Sequence, residues 1–323
     1  RDRLPTCEKW MRRLADHGGN FIRLRMDSWW LAIELPEDAA SGFLGVGWYH
    51  PFVCYEIDKV YELAERRGLH IMHCLYNANG MADLPEDPTG RHKWRGKYNL
   101  FNDENGGPCD RPEDFWTNTE ARRLVRQKLR YCVARWGYSS NLISWEFFNE
   151  VATPDERMVE IADWHADMGA YLNDIDPYDH PVTTSLENVS AREAAPIWSL
   201  PEMDINQRHT YNQDALPASQ RRIVREAISN FEKPFFFGET GLSPRKVGRP
   251  DFDPNGLHLH NALWTPVFSR SAGSAAPWFI ENYVDKRDLW GLFSPLAEFA
   301  EEVPWNSADM QAADIGTPRY EKL

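Results

Sequence analysis

Two short apolar segments of the sequence each end in a glutamate that could do chemistry. One segment runs from Ile143 to Glu150 and the other from Pro234 to Glu239. Two carboxyl groups that converge on one cleft can cleave a glycosidic bond, one as nucleophile and the other as acid and base. A single glutamate after a strand could merely cap a helix or pair with an arginine, but two in the same context favour a catalytic pair.

The two segments belong to a regular alternation of helical and strand-like patterns. The helical segments are Glu8–His17, Tyr55–Arg67, Thr117–Trp136, Thr153–Asn173, Ala191–Ser199, Pro217–Phe231, Gly256–Ser271 and Pro295–Glu302. The strand-like segments are Asn20–Met26, Leu69–Leu75, Ile143–Glu150, Pro181–Leu186, Met203–Asn206, Pro234–Glu239 and Ala275–Ile280. Thr117 with Glu120 predicts a capping box at the third helix. Because the strands begin only after a helix, we expect a (β/α)8 TIM barrel whose first strand is missing or unrecognised.

The lengths of the connections indicate which face of the barrel carries the ligand. The joins from helix to strand are short, as at Gly18-Gly19 and Arg67-Gly68. The joins from strand to helix are long: Asp27–Cys54, Tyr76–Trp116, Arg208–Leu216, Thr240–Asn255 and Glu281–Ser294. In β/α barrels the ligand binds at the ends of the strands, among these strand-to-helix loops. The long loops and both glutamates are therefore expected on one face.

The segments Trp145–Glu150 and Phe237–Glu239 resemble the signatures of clan A glycoside hydrolases. The resemblance is strongest to family 5, whose members are cellulase-like and mannanase-like retaining β-glycosidases. It implies that Glu150 is the acid/base and Glu239 the nucleophile. It also implies that Asn149 hydrogen-bonds the 2-hydroxyl group of the substrate.

Four other residues lie where the resemblance expects them. It implies that Arg23 braces the carboxylate of the nucleophile, that Tyr211 donates to that carboxylate and that His209 lines the donor subsite. Trp278 would form the aromatic floor of the −1 subsite. From the residues alone, Arg23 could instead pair with Glu146, Tyr211 could be an ordinary half-buried tyrosine, and Trp278 could be a core residue. The third strand departs from the family 5 pattern, because His73 and Asn77 match its end only loosely.

Composition limits the classes of partner. The chain has 323 residues, and we interpret residues 1–323 as one catalytic barrel domain, since no linker or repeat divides them. The net charge of −13 makes nucleic acid and anionic membranes poor partners, and no apolar run is long enough for a membrane helix. A carbohydrate polymer without charge would be unaffected. The compartment is not readable from the sequence, although a secreted or periplasmic location is favoured.

Signals for metals and disulfides are weak. Residues Asp251–Gly256 begin like a calcium loop, but Ala262 stands where such a loop needs glutamate, so a turn with a helix cap is favoured. No cofactor and no metal are predicted. The five cysteines are odd in number and lack a C-x-x-C pair. Free buried thiols are favoured, with a bond such as Cys54–Cys109 left open.

Together these features predict a retaining β-glycoside hydrolase that acts by double displacement. The expected substrate is a neutral β-linked polysaccharide or oligosaccharide of the β-glucan or β-mannan type. Two alternatives stay open. The first is a non-catalytic glycan-binding barrel, and the second is a metal-dependent barrel hydrolase, against which the lack of a His-x-His strand end argues.

Overall fold

The computed structural model describes residues 3–27, 30–37, 39–77, 99–151, 157–186, 189–211, 215–242, 252–305 and 307. Within this part of the chain, six parallel strands form one sheet in the order β1-β2-β3-β4-β5-β6. The strands are β1 Phe21–Arg25, β2 His70–Asn77, β3 Leu142–Asn149, β4 Val182–Leu186, β5 Ile205–Tyr211 and β6 Phe235–Gly241. Helices lie between them, so the fold class is the predicted (β/α)8 barrel, with six of its strands formed.

Helices cover the outside of the sheet. They are α1 Arg3–Asp16, α2 Pro51–Arg67, α3 Thr119–Trp136, α4 Met158–Ile175, α5 Ala191–Trp198, α6 Leu216–Phe231, α7 Leu257–Phe268 and α8 Ser294–Glu302. Proline at the first turn starts α2, α6 and α8, where its missing N–H costs no hydrogen bond. Among the described residues no helix is long and apolar enough to cross a membrane.

One predicted helix start differs from the structure, and another lies outside the described residues. The capping box of Thr117 is wrong, because the side chain of Asn118 caps α3 by accepting from the N–H groups of Glu120 and Ala121. Asparagine caps at least as well as threonine, and the cap moves one residue along the chain. The predicted start of the next helix at Thr153–Glu156 lies outside the described residues.

The predicted strand Ala275–Ile280 is also wrong as a regular strand. The segment makes one bridge to β6, between Thr240 and Pro277, through a hydrogen bond from the N–H of Thr240 to the carbonyl of Ala276 (2.8 Å). The N–H of Trp278 returns to the carbonyl of Thr240 (2.9 Å). A π-helical turn begins at Ile280, so the segment makes no regular ladder with β6 beyond this bridge.

Buried apolar residues form a large cluster between the sheet and the helices and a smaller one around Trp290. Five tryptophans are fully buried, namely Trp136, Trp145, Trp164, Trp198 and Trp290. Every residue of β4 and β6 is buried, as expected for parallel strands covered on both faces. All five cysteines are free thiols, so Cys54 and Cys109 are not bonded to each other.

Candidate active site

Glu150 lies immediately after β3, at a sharp bend of the backbone. Its φ of 56° is in the left-handed region, which is uncommon for a residue with a side chain. The N–H of Glu150 donates to the hydroxyl of Ser185 on β4 (2.9 Å), and that hydroxyl donates to the carbonyl of Phe148 (3.2 Å). The bend therefore turns the Glu150 side chain out of the strand and toward the neighbouring strands.

Glu239 lies within β6, two residues before the strand ends at Gly241. It was predicted to end the strand, but Thr240 and Gly241 still pair with Thr210 and Tyr211 of β5 and extend the strand past it. Likewise, β5 runs from Ile205 to Tyr211, so His209 and Tyr211 are part of the strand, not of the loop that follows it. Strands thus position these side chains more rigidly than a loop would.

The side chains of Glu150 and Glu239 meet at His209. The Nδ1 atom of His209 lies 2.8 Å from Oε1 of Glu150 and 3.4 Å from Oε2 of Glu239. A carboxylate oxygen of each glutamate and a ring nitrogen of the histidine all lie within 4.8 Å of one another. The structure therefore brings together two carboxyl groups that are 89 residues apart in the sequence.

Arg23 on β1 connects the two strands that carry the glutamates. Its Nη1 donates to Oε1 of Glu239 (2.6 Å). Its Nε and Nη2 donate to the two carboxylate oxygens of Glu146 (2.6 Å each). Both interpretations of Arg23 are thus realised at once, since it contacts Glu239 and pairs with Glu146.

Asn149, the last residue of β3, is held by the same arginine. Its Oδ1 accepts from Nη2 of Arg23 (2.9 Å), and its Nδ2 lies 3.4 Å from Oδ1 of Asn77. Asn77, at the end of β2, in turn donates to Oδ1 of Asp27 (2.6 Å). These contacts fix the orientation of the Asn149 amide at the base of the candidate cleft.

Arg25 and Asp27 were missed by the sequence analysis. Nη1 of Arg25 donates to Oε1 of Glu239 (2.6 Å), the oxygen that Arg23 also contacts, and its Nη2 pairs with Asp27 (2.9 Å). The guanidinium carbon of Arg25 lies 4.6 Å from the ring centroid of Trp278. The two-residue spacing between Arg23 and Arg25 was a signal that could have found it, because alternate residues of a strand point to the same face.

Trp278 lies beside this group and is 39% exposed. The alternative that Trp278 is a core residue is therefore wrong, because a large part of its ring is open to solvent. Exposed indole rings at the ends of barrel strands can bind the apolar face of a sugar.

Glu239 stays ionised although it is buried. Burial alone would raise its pKa, but the electrostatic interactions with His209, Arg25 and Arg23 and the hydrogen bond from Tyr211 lower the pKa to about 2. The hydroxyl of Tyr211 donates to Oε2 of Glu239. Burial and the neighbouring Glu239 raise the pKa of Tyr211, so the hydroxyl keeps its proton and remains a donor.

His73, which matches the family 5 pattern only loosely, is a buried core residue. Its Nδ1 lies 2.9 Å from the hydroxyl of Tyr61, and its ring stacks on Trp145. Burial and the charge of Lys128 lower the pKa of His73 to about 3, so the ring is neutral. Its side chain packs against Tyr61 and Trp145 in the core and makes none of the site contacts given above.

The residues that could hold a metal ion are Glu150, His209 and Glu239. Two guanidinium groups already contact Oε1 of Glu239, however, and their positive charges oppose a divalent cation at the same carboxylate. In the calcium-like loop, Asp251 lies outside the described residues. The carboxylate of Asp253 accepts from the N–H groups of Leu257 and His258 at the start of α7, which confirms a helix cap.

Comparison with known proteins identifies the fold. No protein-family model and no curated protein matches the chain in sequence. Among solved structures, the endo-1,4-β-mannanase from Rhizomucor miehei has a TM-score of 0.63 at 13% identity, with 94% of this chain and 92% of that chain covered. A family 5 mannosidase from the same organism has a TM-score of 0.61 at 14% identity, with coverages of 84% and 74%.

A third solved structure extends the similarity beyond that fungus. The endo-β-1,4-mannanase from Thermotoga petrophila has a TM-score of 0.59 at 13% identity, with 92% of this chain and 74% of that chain covered. Identities this low show the fold alone. This chain thus has the barrel fold of family 5 mannanases and mannosidases, the family that its motifs resemble.

Proposed function

We propose that the protein is a retaining β-glycoside hydrolase that cleaves neutral β-linked mannans or manno-oligosaccharides. The observation that carries the proposal is the spacing of the two glutamates. One carboxylate oxygen of Glu150 lies within 4.8 Å of one carboxylate oxygen of Glu239, and a ring nitrogen of His209 lies within the same distance of both. Retaining glycosidases hold their two carboxyl groups about 5–5.5 Å apart, whereas inverting enzymes leave roughly 6.5–9.5 Å for a water molecule. The short spacing favours retention.

Glu239 is the better nucleophile of the pair. Its carboxylate has a pKa of about 2, so it is ionised at any ordinary pH. Arg23 and Arg25 both hold Oε1, whereas Oε2 accepts from the hydroxyl of Tyr211 and lies 3.4 Å from Nδ1 of His209. In this geometry Oε2 is the atom that attacks the anomeric carbon.

Glu150 then has the role of acid and base. Its side chain is 22% exposed, against 5% for Glu239, so a leaving group and a water molecule can reach it. In the first step Glu150 donates a proton to the glycosidic oxygen while Glu239 forms a bond to the sugar. In the second step Glu150 takes a proton from water, which attacks the glycosyl-enzyme and releases Glu239.

Two features support a neutral mannan as the substrate. The solved structures with the same fold are mannanases and mannosidases by their descriptions. The net charge of −13 disfavours an anionic polymer, because the long-range field of the protein would repel it. A mannan carries no charge and is unaffected.

The test is hydrolysis of β-mannan, β-glucan and aryl β-mannosides by the wild type, E150A and E239A. The control is E226A, since Glu226 is exposed and pairs only locally with Arg222. We expect turnover of a β-mannoside by the wild type and E226A, with the β-anomer of the sugar released first in proton NMR. E150A and E239A should each lose this activity.

Other outcomes separate the alternatives. A barrel that binds mannan but hydrolyses nothing is a glycan-binding protein. Activity that a chelator abolishes and a divalent metal restores indicates a metal-dependent hydrolase. Release of the α-anomer first would overturn the retaining mechanism.

A further inference from the structure

We propose that Arg25 is a second positioning residue for Glu239 and couples that carboxylate to the exposed ring of Trp278. The inference rests on the proposed function, because it assigns Glu239 the role of nucleophile. It goes further by separating two arginines that contact the same oxygen: Arg23 connects Glu239 to Glu146 and Asn149, while Arg25 connects it to Asp27 and Trp278.

The geometry behind this proposal is a closed ring of polar contacts that surrounds the base of the cleft. Its six members are Glu239, Arg25, Asp27, Asn77, Asn149 and Arg23, each in contact with the next and the last with the first. They come from β1, β2, β3 and β6 and the residue two positions beyond the end of β1. Because the ring is closed, a shift of one side chain changes the position of its neighbours on both sides.

The two arginines differ in how their charges are matched. Arg23 makes two 2.6 Å hydrogen bonds to Glu146, a bidentate arrangement that satisfies most of its fork. Nη1 of Arg25 contacts Glu239 and its Nη2 contacts Asp27, so the guanidinium group is shared between the proposed nucleophile and a residue just after β1. Removing Arg25 leaves Arg23 in place, because Glu146 still holds it.

Several charged or titratable groups act on Glu239 besides Arg25. They are Arg23 on β1, His209 and Tyr211 on β5, Glu150 after β3 and, through Arg23, Glu146 on β3. Arg25 also contacts the exposed ring of Trp278. Its guanidinium covers one face of Trp278, with 4.6 Å from the guanidinium carbon to the ring centroid.

The test compares R25M, which removes the charge, with R25K, which keeps the charge but replaces the planar guanidinium group with a single ammonium group. The matched control is R135M. Arg135 also pairs with an aspartate, Asp58, through two nitrogens and lies over the rings of Tyr131 and Trp136, but on the outer helices. Two readouts are measured: the pH at which the Glu239 carboxyl band appears in infrared difference spectra against E239Q, and the kinetics of β-mannoside hydrolysis.

For R25M we expect the carboxyl band of Glu239 to appear at higher pH than in the wild type. The acidic limb of kcat/KM should move in the same direction, with kcat/KM lowered about 10–100-fold at neutral pH, because a charged hydrogen bond is lost. R25K should keep the acidic limb near the wild-type position and lose mainly kcat. R135M should match the wild type in both readouts. In a double-mutant cycle, R25M and W278A should be less than additive.

The outcomes distinguish the two proposals. If R25M is folded and Glu239 protonates at the wild-type pH, Arg25 does not act on Glu239 and the inference is overturned, whatever the activity. If R25M does not fold, R25K is compared with another neutral variant, R25Q. An acidic limb that is displaced as far in R25K as in R25Q would overturn the role of charge. Infrared shifts as expected in a protein without glycosidase activity would support the contact and reject the proposed function.

Discussion

Glu239 and Glu150 are the same residue type in two different environments. Glu239 lies inside a strand, is almost fully buried and is contacted by two guanidinium groups and a tyrosine hydroxyl. Glu150 lies on a bend with positive φ, is about four times as exposed and contacts His209. Environment rather than residue type separates the two roles, as in other pairs of catalytic carboxyl groups.

These environments suit Glu239 to forming a bond with the sugar and Glu150 to transferring a proton. A nucleophile must be ionised and fixed at the distance of a near-attack contact, and rigid strands with charged donors achieve both. An acid/base must release a proton in one step and accept one in the next, which needs access to the leaving group and to water.

The largest expected effect separates E239A from E150A by their response to azide. E239A should lose about 10⁴-fold or more in kcat with every leaving group, because no covalent intermediate can form. E150A should lose about 10²–10⁴-fold with mannan. With a dinitrophenyl β-mannoside, which needs no acid, E150A should form the glycosyl-enzyme readily.

Azide then gives the diagnostic product. In E150A it attacks the glycosyl-enzyme without needing a base, and the product is the β-mannosyl azide. In E239A it takes the place of the missing carboxylate and yields the α-mannosyl azide. Products of the opposite configuration, assigned by NMR, would exchange the two roles.

The second prediction concerns stability at low pH. The folded-state pKa of Glu239 is about 2, below the ordinary value of about 4.3, so its contribution to stability is present above pH 4.3 and is lost as the pH falls toward 2. The loss across this window is about 3 kcal/mol. E239Q should lack this part of the pH dependence in urea unfolding curves, while E226Q, at an exposed site, should keep it. Equal slopes for wild type and E239Q would contradict a lowered pKa.

The third prediction tests the hydroxyl of Tyr211. Y211F removes the donor to Oε2 of Glu239 and leaves the ring in place. A hydrogen bond to a charged group is worth about 1.5–3 kcal/mol, so kcat/KM should fall about 10–100-fold and its acidic limb should move to higher pH. Y131F is the control, since Tyr131 contacts Cys54 on the outer helices. An unchanged acidic limb in Y211F would show that this hydrogen bond does not help to keep Glu239 ionised.

Much of the site could be predicted from the sequence because its members are short motifs at strand ends. Asn149, Glu150, His209, Tyr211, Glu239 and Arg23 were all expected, and the structure brings them together around one cleft. Their catalytic roles stay predictions. Arg25 and Asp27 were missed because their contacts to Glu239 and Asn77 join residues far apart in the chain. The two-residue spacing from Arg23 places Arg25 on the same face of β1, but it does not identify the partners of either residue.

The fold was predictable to a similar extent. Alternating patterns and connection lengths gave the barrel and six of its strands. The pattern at Ala275–Ile280 has the composition of a strand, yet the segment makes one bridge with β6 and a π-helical turn begins at Ile280. The extent of β5 was also misjudged, because Arg208, His209 and Thr210 interrupt the apolar pattern while their backbone still pairs with β6.

The smallest expected effect concerns the bend that presents Glu150. Ser185 accepts the N–H of Glu150 and so helps to hold a residue whose φ of 56° is unfavourable. S185A removes that acceptor at a cost of about 1 kcal/mol, which corresponds to a roughly fivefold fall in kcat. The fall should be larger for mannan than for a dinitrophenyl β-mannoside in the first step, since only the natural leaving group needs the proton of Glu150. Because Ser185 also lies 3.4 Å from Nη2 of Arg23, an equal loss with both substrates would place its effect on the Glu239 side of the cleft instead.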